Sequence, residues 1–79
     1  MSVASRLRTV FIDTLGLSDD VAVEQLKYRD IEQWDSLGHM TLVAAIEDEF
    51  GVQLDTEQVI DMSSFKVALD MLEGLGVHD

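Results

Sequence analysis

The sequence predicts an all-α protein, a small four-helix bundle of three longer helices and one short helix, with a long loop between helices one and two. Apolar residues recur every three or four positions, and the chain contains no proline. With 79 residues, of which 47% are hydrophobic, the chain is long enough for one core. We therefore expect a single domain over residues 1–79.

The first helix is predicted over residues 3–15, where apolar side chains fall at steps of three and four. Ser2 or Ser5 is expected to cap its start, and Gly16 fits the position after its end. Residues 16–35 contain apolar side chains without a clear period. Because this loop exceeds the usual length of a structureless connection, we expect it to be ordered, functional or both.

The second helix is predicted from Ser36 or Leu37 to Phe50, with Asp35 or Ser36 as the N-cap and Gly51 after its end. Its core face is expected to contain Leu42, Val43, Ile46 and Phe50.

The two remaining helices are predicted from their start signals. Asp55 and Gln58 resemble a capping pair, which opens a short third helix. The fourth helix is expected to start at Ser63 or Ser64 and to bury Phe65, Ala68, Leu69 and Leu72.

The charge of −11 is distributed unevenly along the chain. Residues 1–29 sum to zero, whereas residues 30–79 carry the whole excess. This balance argues against binding nucleic acid or an anionic membrane, because both need a cationic face. It leaves two interpretations, a solvated acidic surface or a docking surface for basic partners, and the one-sided distribution favours docking.

The composition also argues against several other structural and functional features. The absence of cysteine excludes disulfides and cysteine-based metal sites. The longest unbroken apolar run covers only residues 42–46, so no membrane insertion is expected. Asp13 interrupts the early apolar stretch that a signal peptide would need. We expect a cytoplasmic protein without a metal site.

The segment from Gln33 to Met40 contains the most informative motif, Trp34-Asp35-Ser36-Leu37. It places Ser36 where the long loop meets the N-terminus of the second helix. Free N–H groups and the helix dipole favour negative charge at such a position. In isolation, Asp-Ser-Leu is more often only a helix cap.

This segment resembles the attachment site of the acyl carrier protein family, whose motif is Asp-Ser-Leu. The resemblance extends over essentially the whole chain and includes the acidic stretch of residues 42–52. It implies a four-helix bundle in which Ser36 carries a 4'-phosphopantetheine arm taken from coenzyme A. A separate phosphopantetheinyl transferase would attach this arm with Mg²⁺. The arm's thiol would carry an acyl group as a thioester, so the protein itself would not be an enzyme.

The resemblance also implies the site residues and the partners. Partner enzymes would dock on Asp35, Leu37, Met40, Glu47 and Asp48. The acyl chain would enter a pocket lined by Leu42, Ile46, Leu54, Val59, Met62, Ala68 and Met71. For Leu37, Met40 and the pocket residues, ordinary core packing is the alternative. The expected partners are an acyl- or aminoacyl-loading ligase and a downstream synthase or acyltransferase with basic docking surfaces, acting on a monomer.

Three positions depart from the pattern of carriers in fatty acid synthesis. Gly38 and Thr41 stand where those carriers usually have acidic residues, and Trp34 replaces a small residue. Two charges are thus missing from the expected docking face, and an aromatic side chain is added to it. This pattern indicates a specialised rather than a housekeeping carrier, for fatty acid, lipid, polysaccharide or secondary-metabolite (for example polyketide) synthesis.

Other functions were weighed against this interpretation. A peptidyl (aminoacyl) carrier would use the same arm, and an unmodified acidic helical adaptor would not need Ser36. A serine hydrolase is excluded because Trp34 occupies the required glycine position and 79 residues cannot form the necessary sheet; His39 is then expected to lie at the surface. A calcium loop starting at Asp30 fails because Asp35 stands where glycine is needed.

Overall fold

The computed structural model describes residues 2–77 and has four α-helices in that range. They are α1 (Val3–Leu15), α2 (Ser36–Phe50), α3 (Thr56–Asp61) and α4 (Phe65–Gly74). The predicted all-α bundle of three longer helices and one short helix is confirmed. Within residues 2–77, no helix combines the length and apolar character that crossing a membrane requires.

Side-chain caps start each helix, as the sequence predicted. Asp35 accepts a hydrogen bond from the Gly38 N–H at 2.8 Å and caps α2. Asp55 and Gln58 form a reciprocal capping box at the start of α3. Ser2 caps α1 and Ser64 caps α4. Local sequence therefore sets where each helix begins.

The core is centred on α1 and extends to all parts of the bundle. Phe11 of α1 makes edge-to-face contacts with Trp34 and with Phe65 of α4, at centroid distances of 5.2 and 5.1 Å. On the predicted core face of α2, Leu42, Val43 and Ile46 are buried. Phe50 is only half-buried, and the guanidinium of Arg6 lies 4.7 Å from its ring centroid.

The loop between α1 and α2 is ordered by contacts with the helices. Val23 begins a short 3₁₀ turn (Val23–Gln25) and is fully buried. The Tyr28 N–H donates to the Ser63 carbonyl at 2.8 Å, and the Phe65 N–H donates to the Leu26 carbonyl at 3.1 Å. These bonds attach the loop to the start of α4 and bring residues 28–35 close to α2.

Trp34 lies inside the bundle, with 0% of its surface exposed. The expectation that it adds an aromatic side chain to the docking face is therefore wrong. The physical reason is that the loop turns the indole toward Phe11, where burial of a large apolar ring stabilises the fold.

Candidate functional site

Ser36 is the first residue of α2 and is exposed. Its hydroxyl is hydrogen-bonded to the hydroxyl of Tyr28 at 3.1 Å. Among residues 2–77, the structure gives the backbone N–H groups of Ser36 and Leu37 no hydrogen-bond partner. The site thus combines an accessible hydroxyl with N–H groups at the positive end of a helix, an arrangement that favours an attached anion.

A compact turn before α2 positions this serine. Arg29 adopts a left-handed backbone conformation with φ of 72°, and its N–H donates to the Trp34 carbonyl at 3.0 Å. The Lys27 N–H donates to the Asp30 carboxylate at 3.0 Å. This turn directs Trp34 into the core while Asp35 and Ser36 remain outside.

Hydrogen bonds at Tyr28 also change its acidity. The bond with Ser36, followed by a hydrogen bond from Arg29, lowers the pKa of the Tyr28 phenol from its usual value. Both groups stabilise the phenolate form. The Tyr28 ring also lies beneath the Arg29 guanidinium, whose carbon is 5.5 Å from the ring centroid.

An apolar groove of about 380 Å³ opens beside Ser36, between α2 and α3. We call it the arm groove; it is lined by Tyr28, Ser36, His39, Met40, Val59, Ile60, Met62 and Ser63. Met40 and Ile60 form its rim and are 60% and 72% exposed. Leu37, next to Ser36, is 77% exposed. The alternative that Leu37 and Met40 are ordinary core residues is therefore wrong.

His39 links the core to α3 at the floor of the arm groove. Its Nδ1 accepts a hydrogen bond from the Trp34 indole N–H at 2.9 Å. Because indole nitrogen only donates, Nδ1 carries no proton, and Nε2–H donates to the Val59 carbonyl at 2.8 Å. The imidazole and the indole lie nearly in one plane, with an interplanar angle of 16° and centroids 6.1 Å apart, as the in-plane hydrogen bond between them requires. The expectation that His39 is a surface residue is wrong, since it is half-buried and bonded at both nitrogens.

The five residues expected to dock partners occupy different environments. Asp35, Leu37 and Met40 lie around Ser36 and are exposed, as is Asp48 farther along α2. Glu47 is half-buried, and its carboxylate accepts a hydrogen bond from the Leu54 N–H at 2.8 Å. Glu47 therefore fixes the connection between α2 and α3 in addition to any contact with a partner.

The seven residues expected to line an acyl-chain pocket are not gathered at one cavity. Val59 and Met62 line the arm groove. Leu54 lines a separate polar cleft with Glu47. The remaining four belong to the bundle interior, Leu42, Ile46 and Ala68 being buried and Met71 partly buried against them. The prediction that an acyl chain reaches these core positions stays a prediction.

Gly38 has a steric role that the sequence interpretation missed. A Cβ atom at this position would lie 2.0 Å from the carbonyl oxygen of Gln33. The backbone of the loop therefore rests directly on the first turn of α2. A glycine inside a helix was the available signal, because it costs about 1 kcal/mol relative to alanine and calls for a reason.

The described cations of α1 are engaged within the fold. Arg6 contacts the Glu49 carboxylate through Nε and Nη2, at 3.1 and 3.0 Å. Arg8 forms an ion pair with Glu24 at 3.3 Å and also donates to the Asp19 carbonyl. By contrast, Asp35, Asp48, Glu57 and Asp61 are exposed on α2, α3 and the turn before α2. The surface near the arm groove is consequently acidic.

Comparison with known proteins agrees with this geometry. Residues 5–72 match the family described as the phosphopantetheine attachment site. The chain belongs to the acyl carrier protein family. An acyl carrier protein from Zymomonas mobilis subsp. mobilis is 31% identical over 70 residues, which cover 89% of this chain and 90% of that protein. Acyl carrier proteins are non-catalytic, and this chain is accordingly a carrier rather than an enzyme.

The cofactor of this family is 4'-phosphopantetheine, and the site around Ser36 fits it. The exposed hydroxyl would supply an oxygen for the phosphate, and the N–H groups at the start of α2 would stabilise its negative charge. The arm groove offers apolar surface to the rest of the arm. The sequence contains no cysteine, so a thiol for thioester chemistry would come from the arm.

Proposed function

We propose that Ser36 is the point of attachment of 4'-phosphopantetheine and that the chain carries acyl groups as thioesters to partner enzymes of fatty acid, lipid or secondary-metabolite synthesis. The observation that carries the proposal is the exposed Ser36 hydroxyl at the start of α2, on the edge of the arm groove. Membership of the acyl carrier protein family supports the same role.

The attachment step balances without a redox partner. The Ser36 oxygen forms a bond with the phosphorus that carries the pantetheine group in coenzyme A. The bond between that phosphorus and the pyrophosphate bridging oxygen breaks, so adenosine 3',5'-bisphosphate leaves, and the hydroxyl proton is released. A transferase with Mg²⁺ performs this reaction, while the chain contributes the hydroxyl and its placement.

The face around Ser36 is suited to a transient partner. Leu37 and Met40 supply an exposed apolar centre, and Asp35 and Asp48 supply acidic groups at its border. An apolar centre with a charged rim allows fast association and later release. We propose that basic surfaces of the transferase, of a loading ligase and of a downstream synthase or acyltransferase bind this face in turn.

Intact mass measurement tests the attachment directly. The purified chain is incubated with coenzyme A, Mg²⁺ and a broad-specificity phosphopantetheinyl transferase. We expect a gain of one phosphopantetheine unit in the wild type and none in Ser36→Ala. Ser63→Ala is the matched control, because Ser63 is a second exposed serine on the arm groove.

The outcome separates the carrier from an unmodified adaptor. Mass gain in the wild type and in Ser63→Ala, but not in Ser36→Ala, supports the proposal. Mass gain that persists in Ser36→Ala would place the arm on another residue. An unmodified wild type that is folded by circular dichroism, with the transferase of its own host as well, would overturn the carrier role of this site.

A further inference from the structure

We propose that His39 and Trp34 together close the inner end of the arm groove, so that this carrier takes a short-chain acyl group that stays outside the bundle core. This inference rests on the proposed attachment at Ser36. It assigns a specificity-determining role to two residues that are not expected to touch a partner enzyme.

The arm groove runs from Ser36 between residues of α2 and α3, and the half-buried His39 is part of its lining. His39 belongs to α2, and its Nε2–H bond to the Val59 carbonyl joins α2 to α3. Its Nδ1 is held by the Trp34 indole. Both nitrogens are therefore engaged, and the ring is fixed in one orientation and one tautomer.

An aromatic cluster stands behind this histidine. The Trp34 indole is hydrogen-bonded edge to edge with the imidazole and also contacts Phe11 of α1. Tyr28 contacts both rings, at centroid distances of 6.3 Å from Trp34 and 5.2 Å from His39. Trp34 occupies space in the core that a small residue at the same position would leave available.

The closure disfavours long acyl chains. A long acyl chain would gain free energy by moving its methylene groups out of water into the core. To reach Leu42 or Ile46, however, it must displace His39, which breaks two hydrogen bonds and leaves the buried indole N–H without an acceptor. A short acyl group buries too few methylenes to offset this loss and would remain in the arm groove.

Thermal unfolding of a series of acylated forms tests the proposal. The transferase attaches acetyl-, butyryl-, octanoyl- and dodecanoyl-phosphopantetheine from the matching coenzyme A thioesters, and intact mass confirms each product. In a carrier that stores its cargo in the core, Tm rises with chain length, since burial in the folded state alone stabilises it. The emission of Trp34, the sole tryptophan in the chain, reports on the closure independently.

Two variants of His39 give the test its controls. His39→Ala removes both hydrogen bonds without altering the Trp34 side chain, so the groove opens toward the core. His39→Gln keeps an amide oxygen to accept from the indole and an amide N–H to donate to Val59, so it preserves the closure. The acetylated forms establish that each variant is folded before chain lengths are compared.

For the wild type and His39→Gln, we expect Tm and Trp34 emission to change little from acetyl to dodecanoyl. For His39→Ala, we expect Tm to rise by about 5 °C or more over the series, together with a shift in emission. A wild type whose Tm rises equally with chain length overturns the closure. The closure would also be overturned if the Tm of His39→Ala did not change with chain length. Failure of loading, seen by mass, instead overturns the proposed function.

Discussion

The Ser36 hydroxyl is bonded to Tyr28 before any arm is attached, so the two side chains are coupled. An unmodified serine can donate its proton to the phenolate, which is why the Tyr28 pKa is lowered. An esterified Ser36 has no proton to donate, and the phosphodiester adds a negative charge close to the ring. The pKa of Tyr28 therefore depends on whether Ser36 is free, modified or replaced.

The chain contains one tyrosine, so the pH-dependent change in ultraviolet absorbance on phenolate formation belongs to Tyr28 alone. We expect Ser36→Ala to raise the pKa of Tyr28 toward its usual value, because the largest cause of the lowering is removed. The phenolate absorbance should then appear at higher pH than in the wild type. The phosphopantetheinylated protein should shift in the same direction and farther, since like charge disfavours the phenolate.

Ser63→Ala is the control for this titration, because it removes another hydroxyl from the same groove without touching the Tyr28–Ser36 bond. Its curve should match that of the wild type. A curve for Ser36→Ala that also coincides with the wild type would show that the hydroxyl does not set the acidity of Tyr28.

Among the elements of the fold, α3 depends most on side chains from its neighbours. Each of its six residues keeps part of its surface exposed. A capping box fixes its first turn. Before α3, the Glu47 carboxylate accepts a hydrogen bond from the Leu54 N–H, and within α3 the Val59 carbonyl accepts one from His39.

In the first turn of α2, the space for a side chain at position 38 is restricted by the preceding loop. Gly38→Ala would normally stabilise a helix by about 1 kcal/mol. Here we expect the opposite, a loss of about 1–3 kcal/mol in the free energy of unfolding, because the new Cβ meets the Gln33 carbonyl oxygen. Denaturant unfolding followed by circular dichroism measures the change.

Gly74→Ala provides the matched comparison. Gly74 is the last residue of α4, and a Cβ there has no atom within 4 Å. We expect this substitution to be neutral or stabilising by up to about 1 kcal/mol. If Gly38→Ala proved as stable as Gly74→Ala, the close approach between the loop and α2 would not constrain the native state.

At the scale of the whole molecule, charge is segregated around the bundle. The cations of α1 pair with acidic residues of the same chain, whereas Asp35, Asp48, Glu57 and Asp61 on α2, α3 and the turn before α2 are exposed. Such an arrangement raises the rate of encounter with a basic surface and makes that rate sensitive to salt.

Asp48→Lys tests this arrangement through the kinetics of Ser36 modification. We expect kcat/KM of the transferase to fall by about threefold to tenfold at low ionic strength, because a charge on the docking face is reversed. The difference should shrink as salt approaches about 1 M, where the screening length is a few ångströms.

Asp70→Lys makes the same change of net charge at an exposed position of α4 and serves as the control. Its kcat/KM should stay close to that of the wild type. Equal losses in the two variants would mean that overall charge, rather than the face around Ser36, controls the encounter.

Helix positions could be predicted from the sequence because their signals are local. Caps such as Asp35 and Ser64 act within three residues, and apolar periodicity marks the buried faces of α1, α2 and α4. The burial of Trp34 could not be predicted in this way, because it depends on Phe11 in α1 and on how the loop turns. The role of His39 depends in turn on Trp34 and on Val59, twenty positions away. The sequence therefore predicted the part of the site that lies in a short motif, around Ser36. It did not predict the contacts of Trp34 and His39, which depend on residues far apart in the chain.

The contact between Gln33 and Gly38 has a consequence for chimeric carriers. If α2 is replaced by the corresponding helix of a carrier that has a side chain at position 38, that side chain collides with the loop of this chain. Residues 33–38 therefore form a unit that must be exchanged together. The boundary of an interchangeable module therefore lies before Gln33, inside the loop, and not at the first residue of α2.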